Sequence, residues 1–167
     1  MADQIHIDIA TMEDAPVIGV VVARAYAELL PPFYEPALLT PVLGLISHPN
    51  EKLIRSGRFY VARDGAGKVV GCGGWSHGSP GRGIIIPGTA HVRHFAVDPG
   101  QSGRGIGGRL LRRSLREAKS ERASVVMCDA TLMAEAFYAG HGFQTEAFIR
   151  VPMGSVAFPC VRMRLAI

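Results

Sequence analysis

Lysine is scarce in this 167-residue chain: Lys52, Lys68 and Lys119 are the only ones among eighteen basic residues, and the other fifteen are arginines. Cysteine is equally rare. Cys72, Cys128 and Cys160 form no CxxC pair, which excludes a disulfide framework and a structural zinc knot and predicts buried free thiols in a reducing compartment. No long hydrophobic run is present. The most apolar stretch, Val17 to Ala23, stops at Arg24, far short of the ~20 residues a membrane span needs. The first ten residues, MADQIHIDIA, lack a basic segment followed by an apolar core, so a secretory leader is not expected and a cytoplasmic location is. Twenty Gly and eleven Pro are scattered without a period, which excludes collagen-like and low-complexity architectures. No repeat of solenoid length occurs.

Hydrophobic residues make up 48% of the chain and charged residues 19%, a globular balance that one compact domain over residues 1–167 accounts for. The net charge is +4 and the pI about 9.3. Placement of the cations matters more than their number. Arg104, Arg109, Arg112, Arg113, Arg116, Lys119 and Arg122 crowd one segment, and arginine's planar fork suits phosphate, so an anionic ligand is expected nearby.

Residues 4–9 alternate as a strand, with Ile5, Ile7 and Ile9 on one side. Thr11 and Asp14 form a helix-capping pair, and the helix that follows runs to Leu30, where Pro31 and Pro32 end it. Further helices are predicted from Pro36 to Ser47 and from Pro49 to Ser56. Arg58 to Asp64 and Val69 to Ser76 read as a hairpin around Gly65 to Lys68, followed by a Gly- and Pro-rich loop from His77 to Gly88. Ala90 to Val97 is a strand, Gly105 to about Lys119 a helix, and Ser124 to Ala130 a second strand, which together make a right-handed parallel crossover. A short helix from Ala134 to Gly140 and strands near Phe143 to Ile149 and Pro159 to Leu165 complete a mixed α/β pattern on one sheet.

The most informative segment runs from Val97 to Gly108, Val-Asp-Pro-Gly-Gln-Ser-Gly-Arg-Gly-Ile-Gly-Gly, a strand end, a glycine turn and a helix start. Glycine there lets backbone N–H groups approach a ligand that a Cβ would push away, and the helix N-terminus adds partial positive charge; the combination suits pyrophosphate. Gly103, Gly105 and Gly108 also satisfy GxGxxG, and Asp129 stands 21 residues further on, so a dinucleotide-binding turn is one reading. Against it, five residues separate the strand from the first glycine. A purely structural turn with a solvated arginine face is another. A basic nucleic-acid-binding module is a third alternative, weakened by Glu117 and Glu121 within the run and by the lack of ribonucleoprotein aromatics.

Over nearly its whole length the chain resembles the Gcn5-related N-acetyltransferase (GNAT) superfamily, most sharply from His91 to Phe143. The family's V-x-P loop and Q/R-x-x-G-x-G/A turn are matched by Val97, Pro99 and then Ser102, Gly103, Arg104, Gly105, Ile106 and Gly107. Its N-x-x-A-x-x-F-Y-x-x-x-G-F segment is matched by Thr131, Ala134, Phe137, Tyr138, Gly142 and Phe143. Ser102 replaces the usual Gln or Arg, and Thr131 the usual Asn.

The resemblance implies an acyl-CoA N-acyltransferase fold, a central mixed sheet with helices on both faces, and transfer of an acetyl group from acetyl-CoA to an amine without a metal. It further implies that backbone groups of Phe95, Ala96 and Val97 hold the pantetheine arm. Residues Ser102 to Gly108 would cradle the pyrophosphate, with Thr131 and Tyr138 as further contacts. Tyr138 is the expected general acid, since a phenol of pKa about 10 can protonate a thiolate of about 8.5. Strand alternation puts His91, Arg93, Phe95 and Val97 on one face and Val92, His94 and Ala96 on the other. His91 is the expected base, with His94, Glu28, Glu35 and water as competitors. Trp75 reads equally as core or as pocket wall, Cys128 as a core thiol and Asp129 as strand-end polarity. The segment Tyr26 to Leu45, mostly apolar, offers no acidic patch for a polyamine. The expected partner is therefore a small amine or amino-acid-like compound, not nucleic acid or membrane, and the chain is compatible with a homodimer.

Overall fold

The computed structural model describes residues 4–167. Residues 1–3, the start of the segment read for a leader, lie outside the described residues.

Seven strands form one sheet in the order β1-β2-β3-β4-β5-β7-β6: β1 (His6–Ile9), β2 (Phe59–Arg63), β3 (Val69–Ser76), β4 (Thr89–Val97), β5 (Val125–Thr131), β6 (Gln144–Met153) and β7 (Val156–Ala166). Every neighbouring pair is antiparallel except β4 and β5, which the crossover helix α4 (Ile106–Ser120) joins. Helices α1 (Ala15–Leu29), α2 (Pro36–Ile46) and α3 (Glu51–Arg55) pack with Phe59, Val61, Cys72, Ala96 and Phe158 on one face. On the other face α4 and the short α5 (Glu135–Ala139) bury Ile106, Leu110, Leu111 and Tyr138 against Trp75, Val92 and Val126. The sheet thus has helices on both faces.

Local chemistry accounts for the element ends. Asp14 Oδ2 accepts the backbone N–H of Thr11 (3.0 Å) at the start of α1, and Asn50 accepts from Leu53 N (2.9 Å) to cap α3. Ile9, on the edge strand, stays half exposed although Ile5 is buried. Trp75 is fully enclosed, and its indole N–H donates to the Tyr60 hydroxyl (3.2 Å), so it is a core aromatic.

Two sequence readings are corrected. The last two strands are longer than predicted and form a continuous hairpin from Gln144 to Ala166 around Gly154 and Ser155. Pro152 and Pro159 hid it, because proline is a poor strand former except where no ladder hydrogen bond is asked of it. Pro152 lies on the edge strand, and Pro159 lies just beyond Cys160, the last β7 residue paired with β5.

The second correction concerns β4. Cys72 pairs with Ala96 and Gly74 with Arg93, so His94 and Phe95 together oppose Gly73. This bulge, with His94 at φ +54°, inverts the alternation. His91 and Arg93 therefore fall on the Ala96 side of the sheet, and Phe95 and Val97 join Val92 on the α4 side. Gly73 is what makes room: a Cβ there would meet the Phe95 ring at 2.6 Å.

Candidate functional site

The parallel ladder between β4 and β5 holds for three residue pairs only, Thr89 with Val125, Ala90 with Val126 and His91 with Met127. Beyond it the strands part, leaving the facing backbone edges of Val92 to Val97 and of Cys128 to Thr131 without a strand partner. An extended ligand rich in amides can take those places in the ladder. The bulge drives the parting, since the extra residue bends β4 away. Its carbonyls are held in turn: the Tyr26 hydroxyl donates to Phe95 O (3.3 Å), and the Cys72 thiol to His94 O (3.6 Å).

The cleft in this gap is lined by Tyr26, His94, Phe95, Cys128, Thr131 and Tyr138, among others. Tyr138 is buried, with edge-on contacts to Phe137, Phe143 and Phe95, and the Cys128 thiol is a polar neighbour of its hydroxyl. Burial pushes its pKa well above 10, so it is a neutral proton donor at physiological pH. Cys128 is a structural thiol whose own pKa is pushed up to about 12 by burial.

At the end of β4 the chain makes a short 3-10 turn (Pro99–Gln101) and then enters α4 through Gly103 and Gly105. Gly105, the residue before the helix, has φ +71°, a conformation that strains any L side chain. No side chain caps α4, so its first N–H groups are left as donors at a positive helix end. Ser102, Gly103, Arg104 and Gly105 are exposed there, and Arg104 donates to the Gln101 side chain. The position of a Cβ on Gly107 lies 3.2 Å from Phe137 and 3.7 Å from Val97, so this turn abuts both β4 and the helix of Tyr138. Asp98 anchors it: the buried carboxylate accepts from Gly100 N (3.0 Å) and pairs with Arg24 of α1 (3.0 Å). The sequence marks Asp98 only as the variable residue of the V-x-P loop.

A second cleft adjoins the first and shares Tyr26, Val92, His94, Asp129 and Thr131 with it. Its remaining walls come from α2, the 77–88 loop and the β6–β7 hairpin. Arg93 and Asp129 bring charge to it. Both Asp129 oxygens are engaged by Arg162, through Nε (2.8 Å) and Nη2 (3.0 Å). That pairing removes the acidic residue on which a dinucleotide reading relied, and a sheet with one parallel pair lacks the repeated parallel crossovers of such folds.

The candidate bases are placed unequally. His94 lines both clefts; burial, aided by the positive charge of Arg93, lowers its pKa to about 4. His91 lines neither cleft, its Nε2 is buried without a hydrogen-bond partner, and burial lowers its pKa as well. Glu28 and Glu35 are exposed and line neither. Sequence reasoning missed Tyr26, Arg93 and Ser76 as site residues. Strand alternation would have found Arg93 only if the bulge had been visible.

The sequence model of one family, described as an acetyltransferase (GNAT) domain, matches residues 55–145, which include β4, the glycine turn and Tyr138. The search of curated proteins gives no match. Among solved structures, a GCN5-related N-acetyltransferase from Rhodopseudomonas palustris is 18% identical with a TM-score of 0.78, over 97% of this chain and 95% of that one. PaiA N-acetyltransferase from Thermoplasma acidophilum, in complex with coenzyme A, is 16% identical with a TM-score of 0.74, over 98% and 99%. A GNAT family acetyltransferase from Brucella melitensis, in complex with acetyl-CoA, is 21% identical with a TM-score of 0.64, over 99% and 89%. At these identities the likeness is one of fold.

Proposed function

Because the chain belongs to the GNAT acetyltransferase family, we propose that it passes the acetyl group of acetyl-CoA directly to the nitrogen of a small amine, with Tyr138 as the general acid. The observation that supports this most is the parting of β4 from β5 just after His91 and Met127, with Tyr138 in the gap and the glycine turn at its end. Acetyl-CoA would supply an activated acyl carbon. The residues here bind and orient: open edges of β4 (Phe95, Ala96, Val97) and β5 match an amide-bearing arm, and residues Ser102 to Gly108 match a pyrophosphate. Thr131, shared by both clefts, is a further contact.

In the transfer, the acceptor nitrogen bonds to the carbonyl carbon as the C–S bond breaks. One proton leaves the nitrogen to solvent, and Tyr138 donates one to the sulfur and takes one back from solvent, so no net proton is gained or lost. His94 is too weakly basic at a pKa of about 4 to hold the amine's proton, but its neutral ring at the junction of the clefts suits a hydrogen-bond acceptor that orients the amine. His91 lines neither cleft, and the proton leaves by solvent at the mouth of the second cleft. Three buried free thiols fit a reducing compartment, and we assign the protein to the cytoplasm. Among the described residues no helix is long and apolar enough to cross a membrane.

Calorimetry with acetyl-CoA and NAD side by side, followed by release of free thiol with a panel of amines, tests the reading. One-to-one binding of acetyl-CoA with acceptor-dependent thiol release is expected. Binding of NAD alone would overturn it.

A further inference from the structure

The second cleft has apolar walls, among them Ile46, Met153 and Phe158, and two charged residues. Asp129 is satisfied by both arms of Arg162. Arg93 is not matched in this way. Its guanidinium is half-buried, Nη1 donates to Ser76 Oγ (3.1 Å), and among the described residues no carboxylate lies within ion-pair distance. Ser76 in turn donates to Gly78 O (2.7 Å), which fixes the hydroxyl's lone pairs toward Arg93 and holds the guanidinium in place. A buried cation without a counter-anion is costly, and burial already draws its pKa down. Arg93 is also remote from the pyrophosphate cradle: it precedes the bulge, lines only the second cleft, and lies on the opposite face of β4 from Phe95.

We propose that Arg93 receives the carboxylate of the acceptor, so that the acceptor class is an amino-carboxylate with an apolar side chain, of the size and type of an apolar α-amino acid. This rests on the acetyltransferase reading and deepens it. A guanidinium fork takes a carboxylate through two parallel hydrogen bonds, and Arg93 retains donors for that beyond the one given to Ser76. With the carboxylate on Arg93, the amine falls toward His94 and Thr131, which line both clefts. The apolar walls then meet the side chain. The burial that keeps the rings of His91 and His94 neutral, aided by Arg93, likewise disfavours an ammonium ion in this cleft, so the acceptor is bound with its nitrogen ready to attack. Dicationic amines find no acid to pair with, because Asp129 is taken.

The test compares matched acceptors on the wild-type chain: apolar amino acids, their amides, and the amines left after removing the carboxylate, read as kcat/KM for thiol release at saturating acetyl-CoA. Amino acids are expected to lead their carboxylate-free counterparts by on the order of 10²-fold or more. In Arg93→Met, which keeps the stem, that preference should collapse through KM while calorimetric affinity for acetyl-CoA stays within a few fold. Arg93→Lys should recover only part of it. Equal or better use of the carboxylate-free amines by the wild type overturns the proposal, and needs no variant to fold. So does acetyl-CoA binding without turnover of any amino acid in the panel. Failure to bind acetyl-CoA at all would instead overturn the underlying acetyltransferase reading.

Discussion

Tyr138 is buried among Phe95, Phe137 and Phe143, so its ring is held by packing. Tyr138→Phe keeps the ring. We expect kcat to fall by about 10² to 10⁴, as for loss of a general acid, with kcat/KM falling in parallel and acetyl-CoA affinity kept within a few fold. The melting transition should move little, since the ring and its aromatic contacts are retained. Unchanged single-turnover rates would remove Tyr138 from the chemistry. His94 gives a second prediction at this scale. Its pKa is about 4 in the folded chain against 6.5 unperturbed. The unfolded chain therefore binds more protons between those values, and stability, complete above pH ~6.5, is lost as the pH falls toward 4, by at most about 3 kcal/mol. His94→Asn suits the positive φ and removes the titration. Its unfolding free energy should fall less steeply than that of the wild type across that interval in denaturant titrations; parallel slopes would assign the acid sensitivity elsewhere.

At the scale of elements, the bulge in β4 separates what the sequence displays from what it conceals. The glycine turn, α4 and the FY segment are visible because each rests on local rules, a helix start and a spacing of residue types. The bulge is not visible, because it is decided by partners distant in sequence: Gly73 on β3, which admits the Phe95 ring, and Tyr26 on α1, which holds Phe95 O. Period-two reasoning therefore groups His91 and Arg93 with Phe95 and Val97, from which the bulge separates them. Gly73→Ala tests the coupling. A Cβ 2.6 Å from the ring forces Phe95 or the strand to move, and overpacking of this kind costs about 1–3 kcal/mol. Because the same bulge opens β4 from β5, acetyl-CoA affinity should drop together with stability. A variant that is destabilised yet binds acetyl-CoA normally would show that the gap does not depend on the bulge.

For the whole molecule, the element order was legible because helix and strand periods rarely conflict in this chain, and the two-faced packing followed from the family resemblance. The second cleft was not, since its walls come from α1, α2, the 77–88 loop and the β6–β7 hairpin, segments brought together only by the fold. The sheet also predicts where a bound donor should be felt. Acetyl-CoA seated as proposed would fill the open edges of β4 and β5 and the first turn of α4, on the boundary between the two core clusters. A ligand that binds only the folded state at 100 times its Kd adds about 2.7 kcal/mol. In a domain of this size that corresponds to a rise of roughly 5–11 °C in Tm. Hydrogen exchange should slow most in Val92 to Val97, Cys128 to Thr131 and Ile106 to Gly108, and least in β1, which lies three strands from β4 at the sheet edge. NAD, which shares the pyrophosphate but not the amide-bearing arm, should protect the start of α4 at most and leave the strand edges unchanged. Equal protection of β4 and β5 by NAD would mean that the gap closes without an arm between its edges, and that the cradle alone recognises the ligand.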